Sequence, residues 1–233
     1  MTVVALEELQ TRSRFISEIA AQGCAYVVEG DAGLARVPSQ RRKGQSVLLM
    51  WSLKAEAARW ADALVKAPKV VAVSCETLLT RQLPHASEDT SLIGADWSDA
   101  PAEPELTAYD LDQSLRRHYI QQLTESATKM RHVWVLKAAD AFATLLTRHP
   151  AGGDVLPIFA DRASAERMIE GAWSQTSATR VPIGDFLQKT IVWCAEGRRR
   201  IAPAYIPGPG LVEMQPWDVK ALLSGHAPIR RVA

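Results

Sequence analysis

The sequence predicts an α+β fold made by duplication: two copies of one unit, each a mainly antiparallel sheet with helices packed on it. Three observations lead there. The chain matches itself at one offset of about 108 residues, without a gap over roughly ninety positions. Strand-like apolar runs and helical periodicities follow one another in the same order in each copy. The 233 residues are enough for two units of about a hundred residues, each able to bury a core.

In the self-match, Tyr26, Val27 and Val28 fall on Trp134, Val135 and Leu136, and the run Val47 to Trp51 falls on Val155 to Phe159. Farther along, Val73 meets Val181, Leu78 meets Phe186, Ile93 meets Ile201, Pro101 meets Pro209 and Tyr109 meets Trp217. Each copy opens with an amphipathic helix, in the first copy near residues 5 to 22, with Leu6, Leu9, Phe15, Ile16 and Ile19 at near-helical spacing. There Phe15 and Ile16 resemble Tyr119 and Ile120 at an offset four shorter, so an indel of one helical turn is expected between the first helix and the first strand. Strands follow at Ala25 to Val28 and Leu34 to Val37, joined through a turn with hairpin chemistry from Gly30 to Gly33, and then at Val47 to Trp51. A helix from about Lys54 to Val65 stops before Pro68; Val70 to Val73 reads as strand, Glu76 to Leu83 as a short helix and Ser91 to Ala95 as the closing strand. Thr107 and Asp110 form a capping-box pattern, after which Leu111, Leu115, Tyr119, Leu123 and Ala127 recur every fourth residue. One helix, about residues 108 to 129, therefore closes the first copy (1–110) and opens the second (111–233). The equivalent helix in the second copy starts at Pro216 and stops at Gly225, ahead of a tail carrying Pro228, Ile229, Arg230 and Arg231.

Composition sets limits on function. Lys plus Arg is 27 against 26 for Asp plus Glu, a net charge of +1 that argues against nucleic-acid binding by the chain as a whole. No apolar run reaches the ~18 residues of a membrane span, and the first residues lack a basic leader, so a cytoplasmic protein without membrane contact is expected. Cys24, Cys75 and Cys194 are odd in number and widely spaced, which points away from a disulfide framework and from a metal knuckle. The neutral total hides an asymmetry: up to residue 108 there are 11 basic and 14 acidic groups, and beyond it 16 and 12.

The second half is similar to a known family. The residues Trp134 to Leu136, the run Val155 to Phe159 with Pro157, Ala165, then Val181 and Ile183 to Leu187, the strand ending Tyr205, Ile206 and Pro207, and the closing Val219 to Leu222 resemble the bacterial family called domain of unknown function 2750. The resemblance covers about residues 115 to 225. The first copy looks like a diverged member, with Trp51 at the family's aromatic position and Leu49 where the family has Pro. These are packing and turn positions, so the resemblance implies an α+β fold and a bacterial origin, and no chemistry.

The search for chemistry gives little for catalysis. His85, His118, His132, His149 and His226 share no ligand spacing, and no Cys stands within reach of another Cys or His in sequence. The glycine pairs at Gly152 and Gly153 and at Gly208 and Gly210 lack the phosphate-cradle signature and read as turns, and no nucleophile elbow is present. No metal or cofactor is expected. Trp51, Trp134 and Trp217 align with aromatic residues and read as core, whereas Trp173 and Trp193 have no aromatic counterpart and become candidates for a binding surface. The run Arg198, Arg199 and Arg200 stands where the first copy has Thr90, Ser91 and Leu92, and is the second candidate. The expected function is therefore binding of another protein without catalysis, for example as an immunity protein or toxin inhibitor. The alternative is a small enzyme with a site between the copies, drawing on Cys75, Glu76 or His85; hydrogen-bonded Cys and His, or paired carboxylates in a pocket, would favour it.

Overall fold

Phe15 and Ile19, one helical turn apart, are both fully buried, and they set the inward face of α1 (Val3–Gln22). The helix ends at Gly23, whose N–H returns to the Ile19 carbonyl at 2.9 Å. Then come β1 (Cys24–Gly30), β2 (Gly33–Leu34), β3 (Arg36–Pro38), β4 (Ser46–Met50), α2 (Lys54–Leu64) and β5 (Lys69–Ser74). A helical segment follows, made of α3 (Cys75–Thr77), a π-helical stretch (Leu78–Gln82) and α4 (Leu83–Glu88), and then β6 (Leu92–Ala95) and β7 (Glu105–Thr107). These coordinates are a computed structural model, which describes residues 3–98, 103–147, 150, 152–170 and 173–225. His149, His226, Pro101 and the tail from Pro228 to Arg231 lie outside the described residues.

α5 (Ala108–Met130) begins with the expected cap: the Asp110 N–H donates to Thr107 Oγ1 at 3.0 Å, and the Thr107 hydroxyl donates back to Asp110 at 2.8 Å. Beyond it the order repeats as β8 (His132–Ala138), β9 (Ala141–Phe142), β10 (Leu145–Leu146), β11 (Asp154–Ile158), α6 (Arg162–Glu166) and β12 (Ser177–Pro182). α7 (Ile183–Asp185), a second π-helical stretch (Phe186–Thr190), α8 (Ile191–Glu196), β13 (Arg200–Pro203) and α9 (Pro216–Leu223) complete it. Two compact units result. Unit 1 holds the described residues up to His118 together with Ile206–Gly210, and unit 2 holds the described residues from Tyr119 to Tyr205 and from Leu211 onward.

In unit 1 an antiparallel sheet ordered β2-β1-β5 accompanies a second sheet ordered β3-β4-β6-β7. Unit 2 repeats this with β9-β8-β12 and β10-β11-β13. The fold is α+β and duplicated, with mainly antiparallel sheets. One pairing in each unit is parallel, β4 with β6 and β11 with β13, because a long crossover through a helix, a strand and a second helical segment returns the chain in the same direction. An isolated bridge ties the first strand of each unit to the end of the fourth, Tyr26 to Trp51 and Trp134 to Phe159.

Four expectations need correction. The offset of 108 runs through the first helix without an indel: Phe15 matches Leu123 and Ile19 matches Ala127, all buried, and Gly23 matches Arg131, whose N–H returns to Ala127. A one-turn slip leaves an amphipathic pattern almost unchanged, which is why Tyr119 could pass for Phe15 in sequence. The expected strand from Leu34 to Val37 is two strands, since Ala35 donates to Val28 in the first sheet and accepts from Leu49 in the second. The short helix continues to Glu88 through Pro84; the π turn persists in unit 2, where Val192 replaces the proline, so the proline is not its cause. Trp217, read as core, is 54% exposed, and its counterpart Tyr109 is 69% exposed. Both occupy the second position of a helix and face outward. Trp51 and Phe159 are each 1% exposed and sit in equivalent cores.

Candidate protein-binding face

A cluster of half-buried aromatic and cationic side chains lies in unit 2, around Trp193. α8 carries this residue on its half-buried side, packed against the cluster of Val133, Val135, Val181 and Phe186. Phe142, brought by the short hairpin strand β9, leans against it with ring centroids 5.0 Å apart at 47°. Lys137, paired with Phe142 across the hairpin, lays its ammonium over the Phe142 ring at 4.8 Å, and the Arg199 guanidinium lies over Trp193 at 3.9 Å. Two aromatic rings are thus flanked by two cations.

Arg199 is fixed by more than the ring. It donates to the Trp193 carbonyl at 3.2 Å and reaches Asp154 at 3.8 Å. Gly197 makes room for this: a Cβ there would fall 1.5 Å from an Arg199 guanidinium nitrogen. Beneath, the Cys194 thiol is pushed up to about 12 by burial, against the opposing pull of Arg199, so it stays a protonated packing group. Beside Trp193 opens a groove of about 360 Å³, lined by Lys137, Phe142, Arg180, Asp185, Lys189 and Trp193 among others. Lys189 pairs with Asp185 at 2.8 Å, a hydrogen bond that holds its ammonium charged.

The three arginines part company. Arg198 sits in the left-handed region (φ 53°) on the turn before β13 and is exposed; Arg199 folds back onto Trp193; Arg200 enters β13 and donates to the Glu213 carbonyl at 3.3 Å. Trp173 stands apart from Trp193: it stacks on Tyr205 at 6.0 Å, in a cluster with Leu136 and Phe159. Trp193 and Arg199 are therefore brought together, while Trp173 and Arg200 are engaged elsewhere in the unit.

In unit 1 the residues weighed for catalysis do not meet. Cys75 is buried and donates to the Ile19 carbonyl at 3.2 Å, Glu76 is exposed, and His85 lies on the exposed side of α4 with Glu88 and Asp89 at 4.0 Å. A second groove, of about 290 Å³, holds Arg14, Glu18, Ser52, Glu56, Asp96 and Glu103. There the buried Ser52 hydroxyl lies 2.5 Å from Glu18 and 2.9 Å from Asp96, and burial raises the Asp96 carboxyl above its ordinary range. Among the described residues no three His, Cys, Asp or Glu side chains gather as a metal site, and no helix is long and apolar enough to cross a membrane.

The profile of the family described as "Protein of unknown function (DUF2750)" matches residues 12–115 and again residues 120–223, at the offset of the internal repeat. The chain belongs to the DUF2750 family. It carries two tandem DUF2750 domains. No curated protein matches it significantly. Among solved structures it is similar to Anabaena Tic22 (protein transport), with 14% identity over 82% of this chain and 92% of that one and a TM-score of 0.25. It is likewise similar to Tic22 from Plasmodium falciparum, with 10% identity, 81% and 90% coverage and a TM-score of 0.24.

Comparing the two DUF2750 copies shows what residue-by-residue reading of the sequence missed. Lys137, Phe142, Arg180, Trp193 and Arg199 replace Glu29, Leu34, Ala72, His85 and Ser91 of the first copy. Gly197, which admits Arg199, replaces Asp89. The signal was present in the repeat, as acid-to-base and aliphatic-to-aromatic changes at matched positions.

Proposed function

We propose that this chain is a protein-binding protein that does no chemistry itself, and that the Arg199 and Trp193 face of unit 2 is where the partner docks. The observation that carries the reading is the assembly of Lys137, Phe142, Trp193 and Arg199 into one stack, at positions where the first copy holds Glu29, Leu34, His85 and Ser91. A rigid aromatic and arginine cluster is the usual centre of a protein interface, and the surrounding positive charge selects an acidic partner. A cytoplasmic immunity protein that neutralises a toxin is the concrete version we favour; three free cysteines suit a reducing compartment.

The test starts from the partner captured on the full chain in its native host. Calorimetric titration of that partner should give a wild-type affinity that falls with salt, and an affinity at least tenfold lower for Arg198→Glu/Arg199→Glu/Arg200→Glu at low salt. The variant's thermal unfolding checks that it stays folded. Equal affinities at both salt concentrations discard the face. An enzyme with its site inside unit 1, rather than between the copies, has one observation in its favour, the Glu18 and Asp96 carboxylates on either side of Ser52 in the unit 1 groove. It predicts that Glu18→Gln leaves partner binding unchanged and abolishes a turnover.

A further inference from the structure

β5 is an edge strand: among the described strands it pairs with β1 alone, in unbroken register from Lys69 to Ser74. Tyr26 of β1 gives both of its backbone groups to Trp51, at 2.8 Å each way. The ladder to β5 therefore skips Tyr26, and the N–H and C=O of its cross-strand neighbour Ala72 point out of the sheet. Val70 is turned the same way, opposite Val28, whose carbonyl is taken by Ala35. Ala72 and Ser74 are exposed, so a row of open backbone donors and acceptors runs along an apolar strand without a proline, a bulge or a central charge.

Unit 2 guards the matching edge. Trp134 likewise exchanges both backbone bonds with Phe159, so Arg180, exposed, holds the place of Ala72, and Pro182, which has no N–H, holds that of Ser74. Charge and proline are devices by which a sheet refuses a further strand, and the centre of β5 has neither. The residue order of β5 suits pairing with itself. Turned about a two-fold axis at Ala72, the strand sets outward backbone groups against outward backbone groups, Ala72 on Ala72 and Val70 on Ser74. Between them Val71 falls opposite Val73, an apolar cross-strand pair made twice, and the exposed Lys69 comes to the end of the partner strand where the exposed Glu76 stands. Opposite charges meet there, whereas the same operation on β12 would set Arg180 on Arg180.

We propose that two chains of this protein associate about a two-fold axis at Ala72, their β5 strands pairing antiparallel and joining two three-stranded sheets into one. The surface lies in unit 1, so the proposal goes beyond the protein-binding reading above and does not depend on it.

Sedimentation velocity of the full chain between about 1 μM and about 1 mM should show a monomer giving way to a dimer. Ala72→Arg, which puts the residue of unit 2 at the axis, should raise the dissociation constant by about tenfold or more. Should that variant lower the thermal midpoint, Ser74→Pro replaces it, since proline already stands at this position in unit 2, with a rise of about threefold or more expected. Amide hydrogen exchange tells this edge from any other interface. As the dimer forms, the Val70 and Ala72 amides should slow, while those of Val71 and Val73, which face β1, stay as they were. A chain that stays monomeric over the whole range, a dimer indifferent to both variants, or a dimer in which the Val70 and Ala72 amides exchange as fast as in the monomer each overturns the proposal. Protection of those two amides only in complex with the captured protein partner, on a chain monomeric by itself, also overturns it and gives the edge to that partner.

Discussion

The two units have one fold and opposite surfaces. Unit 1 ties the turn before β6 down with Arg36, on β3, donating to Asp89 at 2.7 Å and also to Ser91. Unit 2 ties the matching turn with the signs exchanged, Arg199 on the turn reaching Asp154 on β11. Beneath these turns the cores correspond in detail. Trp51 corresponds to Phe159, Leu78 to Phe186 and Leu83 to Ile191, all buried, and left-handed backbone recurs at Thr90 and Arg198 and again at Asp96 and Ala204. Burial and backbone geometry thus define the DUF2750 fold, and exposed residues are free to diverge until one copy carries a cationic aromatic face.

The comparison breaks most readily in the core. Trp51→Ala and Phe159→Ala should each cost about 3 to 5 kcal/mol, the range for deleting a buried aromatic. Denaturant titration of the two variants checks this, and a cost under about 1 kcal/mol at either site would show that the two positions are not equivalent. Trp51→Phe should cost much less, since it forfeits mainly the indole N–H bond to the Trp97 carbonyl at 3.0 Å.

Next in size is a feature of unit 1 alone. Asp112 and Arg116, 6% and 4% exposed, form an ion pair at 3.1 Å on α5, where the second copy has Lys220 and Ser224. Removing either partner strands the other charge, so Arg116→Ala should destabilise unit 1 by about 3 kcal/mol, and Asp112→Leu/Arg116→Met by less than either single change. Hydrogen exchange, read separately for the amides of each unit, localises the loss; an equal loss in the double variant would show that the pair is not coupled.

A smaller effect tests the surface difference. Trp193→His restores the residue of the first copy and removes the contacts with Phe142 and Arg199, so about 1 kcal/mol of stability should be lost while partner affinity falls by far more than that fraction. Equal stability with equal affinity would make Trp193 an ordinary surface residue.

The smallest effect is a pH dependence. Burial, reinforced by Glu18 and opposed by the Ser52 hydrogen bonds and Arg14, raises the Asp96 carboxyl above its ordinary range. The folded protein therefore holds this proton more tightly than the unfolded chain. The stability it contributes is complete below the ordinary carboxylate value and is lost as pH rises through the raised one. Asp96→Asn should flatten that part of the stability profile, measured as the difference in denaturation midpoint between the two proteins across the window. An unchanged slope assigns the effect to other groups.

Much of the fold could be read from the repeat because buried positions recur at one offset, and the capping pair Thr107 and Asp110 marks the helix start by local chemistry alone. Register within α1 could not be read, since a helix looks alike one turn on. The crossing of Ala35 from one sheet to the other, the parallel β4 and β6 pair and the three-residue β7 depend on pairings between distant residues. For the face, Trp193 and the arginines stood out by type. Lys137, Phe142 and Arg180 did not, since they reach the groove from strands far from Trp193 in sequence. Tyr109 and Trp217 show the converse, since an aromatic residue matched between copies reads as core in sequence although both lie on the outside of a helix.

The assignment of Ile206–Gly210 to unit 1 has a consequence for how the chain is made. Arg116 donates to the Ile206 carbonyl at 2.7 Å and to that of Pro207 at 3.5 Å, Gly208 carries its φ of 131° against Leu79, and a Cβ at Gly210 would lie 1.8 Å from Asp112. A ribosome delivers Arg116 a full 90 residues before the carbonyl it is to meet. The amino-terminal unit starts first yet lacks these contacts until residues 206–210 have emerged. Completion of the first unit is thereby deferred until most of the second has been synthesised.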